Sequence, residues 1–276
     1  MKTSIESVTP AETKESSAAA GSQTLMRGLD VIEALADGVL TLAELADTLG
    51  LTKSTAHRLA SALVDRGYLG FTPRAGYRLG PKLLELGHRA QLQADLIQVA
   101  RPHLEALAAS SEDTVHLGVL EGDTALYLDK MPGRRRINIS SRVGDRQPLS
   151  STGLGKALML DHPEAYWEER FAADQAAGAP AADPKLWKQR MQAYAKAGRA
   201  YDLEENEDQI RCVSAPIRDA TGRIVGAISV SSAAQYMSDD RMETLSDEVR
   251  ASARAISRDL GWSEAAPKSA RRHQNR

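Results

Sequence analysis

The sequence predicts an α+β protein in two parts. A winged helix-turn-helix spans residues 22–80, a linker helix spans 81–94, and a larger α/β domain spans 95–263. Three observations predict this. Residues 41–58 contain two helix starts separated by one tight glycine turn. Residues 68–79 contain two short strand-like runs around Pro73-Arg74-Ala75-Gly76. Beyond residue 95, alternating strand runs and helical apolar stripes succeed one another.

The first part is the most constrained. Leu25, Leu29, Val31, Ile32, Leu35 and Ala36 form the apolar stripe of a first helix that Gly38 ends. Thr41 and Glu44 make a T-x-x-E capping box, and Leu42, Leu45, Ala46 and Leu49 recur at helical spacing behind it. Gly50 stops that helix in the left-handed conformation glycine tolerates, and Thr52 caps the next one. Two helices joined by so short a turn cross steeply, as a helix-turn-helix requires. The second would bury Ala56, Leu59, Leu63 and Val64 and expose Lys53, Ser54, Thr55, His57 and Arg58, where such helices read base edges. Tyr68–Phe71 and Tyr77–Leu79 then form the wing, with Arg74, Tyr77 and Arg78 as further DNA contacts. Arg27, near the first helix start, is placed to meet a phosphate. Between 51 and 82 the bases are Lys53, Arg58, Arg66, Arg74, Arg78 and Lys82, and the sole acid is Asp65. In a chain of net charge −2, this is a local phosphate footprint.

Bulk properties narrow the function class. With 276 residues and 42% hydrophobic content, the chain holds one large or two modest cores. Its one cysteine, Cys212, forbids an internal disulfide and makes a cysteine zinc site a poor fit. That usage, the polar N-terminus and the lack of any run of ~18–20 apolar residues predict a cytoplasmic protein with no membrane contact. Residues 1–21, rich in Ser, Thr, Ala and Glu, are expected to be a disordered arm, and 264–276 a basic disordered tail.

Pro81 opens the linker helix, whose Leu83, Leu84, Leu86, Ala90 and Leu92 form an apolar stripe suited to a partner or to packing within the chain. A helix over 96–111 follows, then two strands around Glu121-Gly122-Asp123. His116, on the first of these, is expected to be a hydrogen-bonded structural histidine, and Arg134-Arg135-Arg136 a solvated turn. Ser150–Gly155 runs into the helix of Lys156 and Leu158, leaving backbone N–H groups open to an anion. A phosphate P-loop fails there, because Ser150 and Ala157 stand where it needs Gly and Ser or Thr. An S-x-x-K nucleophile fails too, since no serine lies three residues before Lys156. Residues 161–200 read only as polar, Ala-rich helices. The strands Ile210–Ile217 and Arg223–Ser232 pair around Asp219–Gly222, with Ser229 and Ser231 on one face. Ser238 caps the final helix.

Eight segments in order resemble the IclR family of bacterial transcriptional regulators: SQTLMRGLDVIEAL, LTLAELADTLGLTKSTAHRLASALVDRGYL, YRLGPKLLELG, VARPHLEAL, DTVHLGVLEGDTALYLDK, SRVGDRQPLSSTGLGKAL, EENEDQIRCVSAPI and IVGAISVSS. The resemblance covers residues 22–262. It implies a GAF-like α/β fold for the C-terminal domain, a linker region that helps dimerise the chain, and a homodimer or dimer of dimers on a double-stranded operator. It also implies an effector held by Gly153, Leu154, Asp202, Cys212, Ser229 and Ser231, and a regulator, most simply a repressor, that is not an enzyme and carries no cofactor or metal. Ser150 departs from the pattern, since many relatives have histidine there. EENEDQIRC and SRVGDRQPL most resemble branches controlling sugar-acid catabolism, so a sugar acid or keto acid is the expected effector. An enzyme built on Cys212 with His116 or His162 has no base at motif spacing. A helix-turn-helix used only for protein contact sits poorly with Lys53, Arg58 and Arg78.

Overall fold

The computed structural model describes residues 12–93, 95–135, 139–180 and 182–264. They form two compact units, one ending at Gln93 and the other starting at Ala94. The N-terminal unit contains α1 (Glu12–Glu33), α2 (Leu42–Thr48), α3 (Lys53–Asp65), β1 (Leu69–Thr72), β2 (Gly76–Leu79) and α4 (Pro81–Gln93). The capping box forms as the spacing requires: the Glu44 amide donates to Thr41 Oγ1 at 3.3 Å, and Glu44 Oε2 accepts from the Thr41 amide at 2.8 Å. Thr52 accepts from the Thr55 amide and opens α3. Val31, Leu35, Leu45, Leu59, Ala60, Leu69 and Tyr77 make the core.

Two expectations change here. α1 begins at Glu12, so residues 12–21 of the expected arm are helical. The reason is local: Ala-Ala-Ala with Glu and Lys are strong helix formers and no proline interrupts them. Residues 1–11 lie outside the described residues. The stripe of α1 is also only partly used, since Val31 and Leu35 are buried while Leu25 (64%) and Leu29 (43%) face outward.

The wing hangs on one glycine. Gly76 has φ of +117°, and a Cβ there would lie 2.3 Å from the Leu40 carbonyl oxygen. That closeness lets Leu40 and Tyr77 exchange two backbone hydrogen bonds, of 3.1 and 2.8 Å, tying the wing to the segment before α2.

The C-terminal unit contains α5 (Leu96–Ser111), β3 (Thr114–Glu121), β4 (Thr124–Met131), β5 (Arg146–Gln147), α6 (Gly153–Leu158), α7 (Glu164–Ala176), α8 (Pro184–Ala197), β6 (Ala200–Leu203), β7 (Ile210–Arg218), β8 (Ile224–Ala233) and α9 (Asp239–Asp259). The six strands form one antiparallel sheet in the order β5-β4-β3-β8-β7-β6. One face packs on α5 and α9 through Leu104, Leu107, Leu117, Val213, Ile228, Val230, Val249 and Ile256. The other carries α6, α7 and α8 through Leu154, Leu158, Trp167, Phe171, Trp187 and Met191. The chain is therefore the expected α+β arrangement, a winged helix-turn-helix followed by an α/β domain.

Of the basic run at 134–136, Arg134 is exposed as expected, but Arg135 is not simply solvated. Arg135 Nε donates to Asp113 at 2.9 Å and its backbone N–H to the Glu112 carbonyl at 3.2 Å. Asp113, 2% exposed, also accepts from Ser232 and Arg241. A buried carboxylate needs such partners, and this one recruits the arginine. Arg136 lies outside the described residues, as does the expected basic tail from residue 265 onward.

Replacing Gly76 with alanine should weaken the wing by about 1–3 kcal/mol, because it adds both φ strain and a backbone clash. Hydrogen exchange at the Leu40 and Tyr77 amides is the readout. Unchanged protection would show that the close approach is dispensable.

Candidate functional site

Two places carry chemistry. The first is the outer surface of the N-terminal unit. Lys53, Ser54, His57 and Arg58 are exposed along the start of α3, and Arg27, Arg74 and Arg78 are exposed on α1 and the wing. Thr55 is half-buried, and its Oγ1 accepts from the Thr52 hydroxyl at 2.9 Å, so it belongs largely to the helix cap. Tyr77 is a correction. It is 4% exposed in the core, held there by the backbone pairing with Leu40, while its neighbour Arg78 is exposed. Phe71, 54% exposed and 5.0 Å from the Tyr77 ring, is the aromatic this wing shows to solvent.

The second place is a cavity between the sheet and the start of α6. It is lined by all six residues expected of a pocket, Gly153, Leu154, Asp202, Cys212, Ser229 and Ser231. His116, Tyr127, Ser140, Ser141, Asn206 and Glu207 also line it. Its volume is about 40 Å³, which suits a small ligand. Strand register builds the floor: Asp202 pairs with Cys212, Cys212 with Ser231, and His116 with Ser229. Ser229 and Ser231 are 2% and 4% exposed, so they belong to this floor and not to a solvated face.

Gly153 sets how closely α6 approaches that floor. A Cβ there would meet Ser214 Oγ at 2.8 Å and Cys212 Cβ at 3.3 Å. Two tryptophans hold the segment from behind: Trp187 Nε1 donates to the Ser150 carbonyl at 2.8 Å, and Trp167 Nε1 to the Met159 carbonyl at 2.7 Å. These anchors come from the Ala-rich 161–200 stretch, which carries no motif. Ser150 itself is not among the lining residues. It is buried behind the cavity, and its N–H donates to Asp174 at 2.8 Å.

Burial governs the electrostatics. It pushes Asp202 up to about 6, against the opposing pull of Lys156 and the Glu205 and Asn206 backbone N–H groups. Burial, then the Lys130 ammonium, pushes His116 down to about 3, so the ring is neutral at pH 7. Burial and the Asp202 carboxylate push the Cys212 thiol up, which keeps it protonated and unreactive at neutral pH. His116 Nε2 lies 2.8 Å from Ser141 Oγ, while Nδ1 lies 3.5 and 3.4 Å from the Ser229 and Ser231 hydroxyls. It is hydrogen-bonded, as expected, but it is also part of the cavity wall. Its position opposite Ser229 was the available signal, through the pairing of the strands that carry them. Among the described residues, no group of three or more His, Cys, Asp or Glu is placed to hold a metal.

Comparison with known proteins covers both units. The sequence model described as the IclR helix-turn-helix domain matches residues 24–73, and that of the bacterial transcriptional regulator IclR C-terminal domain matches residues 88–258. The chain belongs to the IclR family. It is 33% identical to the DNA-binding transcriptional repressor YiaJ of Escherichia coli K12, over 88% of this chain and 89% of that protein. The Agobacterium tumefaciens repressor BlcR superposes with a TM-score of 0.76 at 25% identity, covering 89% of this chain and all of that one. Pseudomonas aeruginosa HmgR superposes with a TM-score of 0.77 at 24% identity, covering 87% and 99%, which speaks for the fold. This IclR-family chain is thus a DNA-binding transcriptional regulator and not an enzyme. No helix among its described residues is long and apolar enough to cross a membrane.

Two tests follow from the geometry. Gly153→Ala should destabilise the C-terminal unit by about 1–3 kcal/mol through overpacking. Ser214→Ala should restore part of that loss, because the Ser214 hydroxyl is buried with no hydrogen-bond partner and is what the new methyl meets. Urea unfolding of the two single variants and the double variant measures the coupling, and strict additivity would contradict the contact. Separately, Cys212 should react with iodoacetamide at pH 7 far more slowly than a free thiol, with urea removing the difference.

Proposed function

We propose that this IclR-family regulator is a cytoplasmic repressor, and that a small organic acid bound in the Asp202–Cys212–Ser229–Ser231 cavity alters its grip on a double-stranded operator. The observation that carries the effector half is the cavity itself: six residues from four separate segments converge on one small polar space. Its hydroxyls and backbone N–H groups donate, and the Asp202 carboxyl group accepts when ionised and donates when protonated, a mixture suited to an acid that also bears hydroxyl or keto groups. A sugar acid or keto acid fits that description. The word repressor is supported by the names of YiaJ and BlcR.

DNA reading is assigned to Lys53, Ser54, His57 and Arg58 on α3, with Arg27, Arg74 and Arg78 on phosphates. A homodimer, or a dimer of dimers, presents two such helices to a pseudo-palindromic site. An effector that binds one arrangement better by ~1–3 kcal/mol changes DNA affinity about 5–150-fold.

The decisive measurement is binding to the DNA upstream of the protein's own gene against a scrambled duplex, across a salt series, with and without a panel of sugar and keto acids. A steep salt slope on the specific duplex, shifted by one acid, is the expected result. Arg58→Ala should weaken specific binding by about 1–3 kcal/mol while leaving the oligomer intact. Equal affinity for the two duplexes across genomic fragments would remove the operator reading, and indifference to every acid would remove the effector.

A further inference from the structure

We propose that the pocket binds its acid together with a proton, that Asp202 is the residue that takes the proton up, and that monocarboxylates are selected over dicarboxylates as a result. This deepens the acid reading above and rests on it.

The argument begins with charge. Among the described residues the lining contains no lysine or arginine, yet it contains two carboxyl groups, Asp202 and Glu207. A bare carboxylate entering such a space meets repulsion with no cation to offset it. The nearby cations are committed elsewhere, although Lys156 still pulls the Asp202 pKa down. Lys130 on β4, which acts on His116, donates to the Ile139 and Ser141 carbonyls at 2.7 and 2.6 Å. Lys156 on α6 is fully buried, but its ammonium is committed to Glu205 and to the Tyr201 carbonyl at 3.0 Å. Arg190 on α8 also pairs with Glu205, at 3.0 Å. His116 on β3 is neutral and already held by Ser141. Tyr127 on β4 and Cys212 on β7 are held in their protonated forms by burial. Glu207, in the turn after β6, adds negative charge, whereas Glu205 is matched by Lys156 and Arg190.

Asp202 is built differently at its two oxygens. Backbone N–H groups fix the carboxyl group: Oδ1 accepts that of Glu205 at 2.8 Å, and the Asn206 N–H contributes a second hydrogen bond. Oδ2 has the Cys212 thiol at 3.9 Å as its side-chain neighbour, a long contact from a weak donor. The residue is 2% exposed and lines the cavity. A proton on Oδ2 converts it from a repelling acceptor into an O–H donor aimed at the ligand. The ligand carboxylate then accepts that O–H, one proton having come from solvent and the pair carrying a single negative charge. A second ligand carboxylate has no second proton site and faces Glu207.

The sign of the pH effect follows. In the empty pocket Asp202 titrates near 6. Below that pH it is already protonated and binding draws no proton. Above it, each pH unit costs tenfold in affinity, because the competent form becomes rarer. The ligand, an ordinary carboxylic acid with a pKa of about 3.5, stays ionised throughout.

Isothermal titration of the full chain with pyruvate, glycerate and gluconate, from pH 6 to pH 8 and in phosphate and Tris buffers, tests this. We expect at least one acid to bind, with affinity falling about tenfold between pH 7 and pH 8 and a buffer-dependent heat reporting uptake of close to one proton. Tartronate, which is glycerate-sized with a second carboxylate, should bind at least tenfold more weakly than glycerate. In Asp202→Asn the amide mimics the protonated acid, so binding should persist with a flat pH profile and no proton uptake. An acid that binds with pH-independent affinity and buffer-independent heat would overturn the proton linkage while leaving the acid reading standing. A steep profile retained in Asp202→Asn, or a folded variant that binds no acid, would remove Asp202 as the carrier. Tartronate binding as well as glycerate would overturn the monocarboxylate selection. Binding of none of the three acids would overturn the acid reading itself, and this inference with it.

Discussion

The register of β8 between β3 and β7 is the constraint on which the C-terminal unit depends. Across four strands it aligns Thr114, Ser231, Cys212 and Asp202 in one row, and His116, Ser229, Ser214 and Ala200 in the next. The two-residue period then sends Ile228 and Val230 to the opposite face, into the core under α5 and α9. One strand thus serves the core and the cavity at once. A slip of one residue would bury serines against α9 and put isoleucine in the pocket. The apolar face fixes the register, and the register fixes the polar floor.

Above that floor, a buried ion pair sets the second wall. Lys156 is 1% exposed, an environment a lysine tolerates only when paired. Its partner Glu205 lies in the turn after β6, the same turn whose N–H anchors the Asp202 carboxyl. Removing one member of such a pair costs about 3–5 kcal/mol, most of it the penalty of stranding the other charge. The pair therefore locks α6 to the 204–209 turn. Ser140–Glu207 and Ser151–Asn206 contacts, at 3.2 and 2.9 Å, add further ties across the rim. The Lys156–Glu205 pair thus helps hold the pocket's shape without lining it.

The N-terminal unit follows a simpler rule. The capped helices α2 and α3 and a two-stranded wing put apolar residues inside and bases outside. Its helix starts were legible because capping is local: Thr41, Glu44 and Thr52 act within four residues. The exposed Lys53 and Arg58 followed from the helical period. Tyr77 was misplaced because a strand of four residues gives too short an alternation to fix its inward side. Only the pairing of Leu40 with Tyr77 decides it.

By itself the sequence determined what depends on neighbours along the chain: the caps, the strand periods, the turn at Asp219–Gly222 and the basic surface of α3. Its resemblance to the IclR family supplied the six cavity residues, whose roles no local pattern announces. Tertiary structure alone decided the rest. It turned Ser229 and Ser231 into a pocket floor, brought His116 beside them, and used Trp167 and Trp187 from an unremarkable helical stretch to hold α6. It also committed Lys156 to Glu205 and so left Asp202 without a cation of its own. These outcomes turn on which residues meet across strands and layers, and on how far burial outweighs charge at each meeting point. Neither quantity is a property of any one segment.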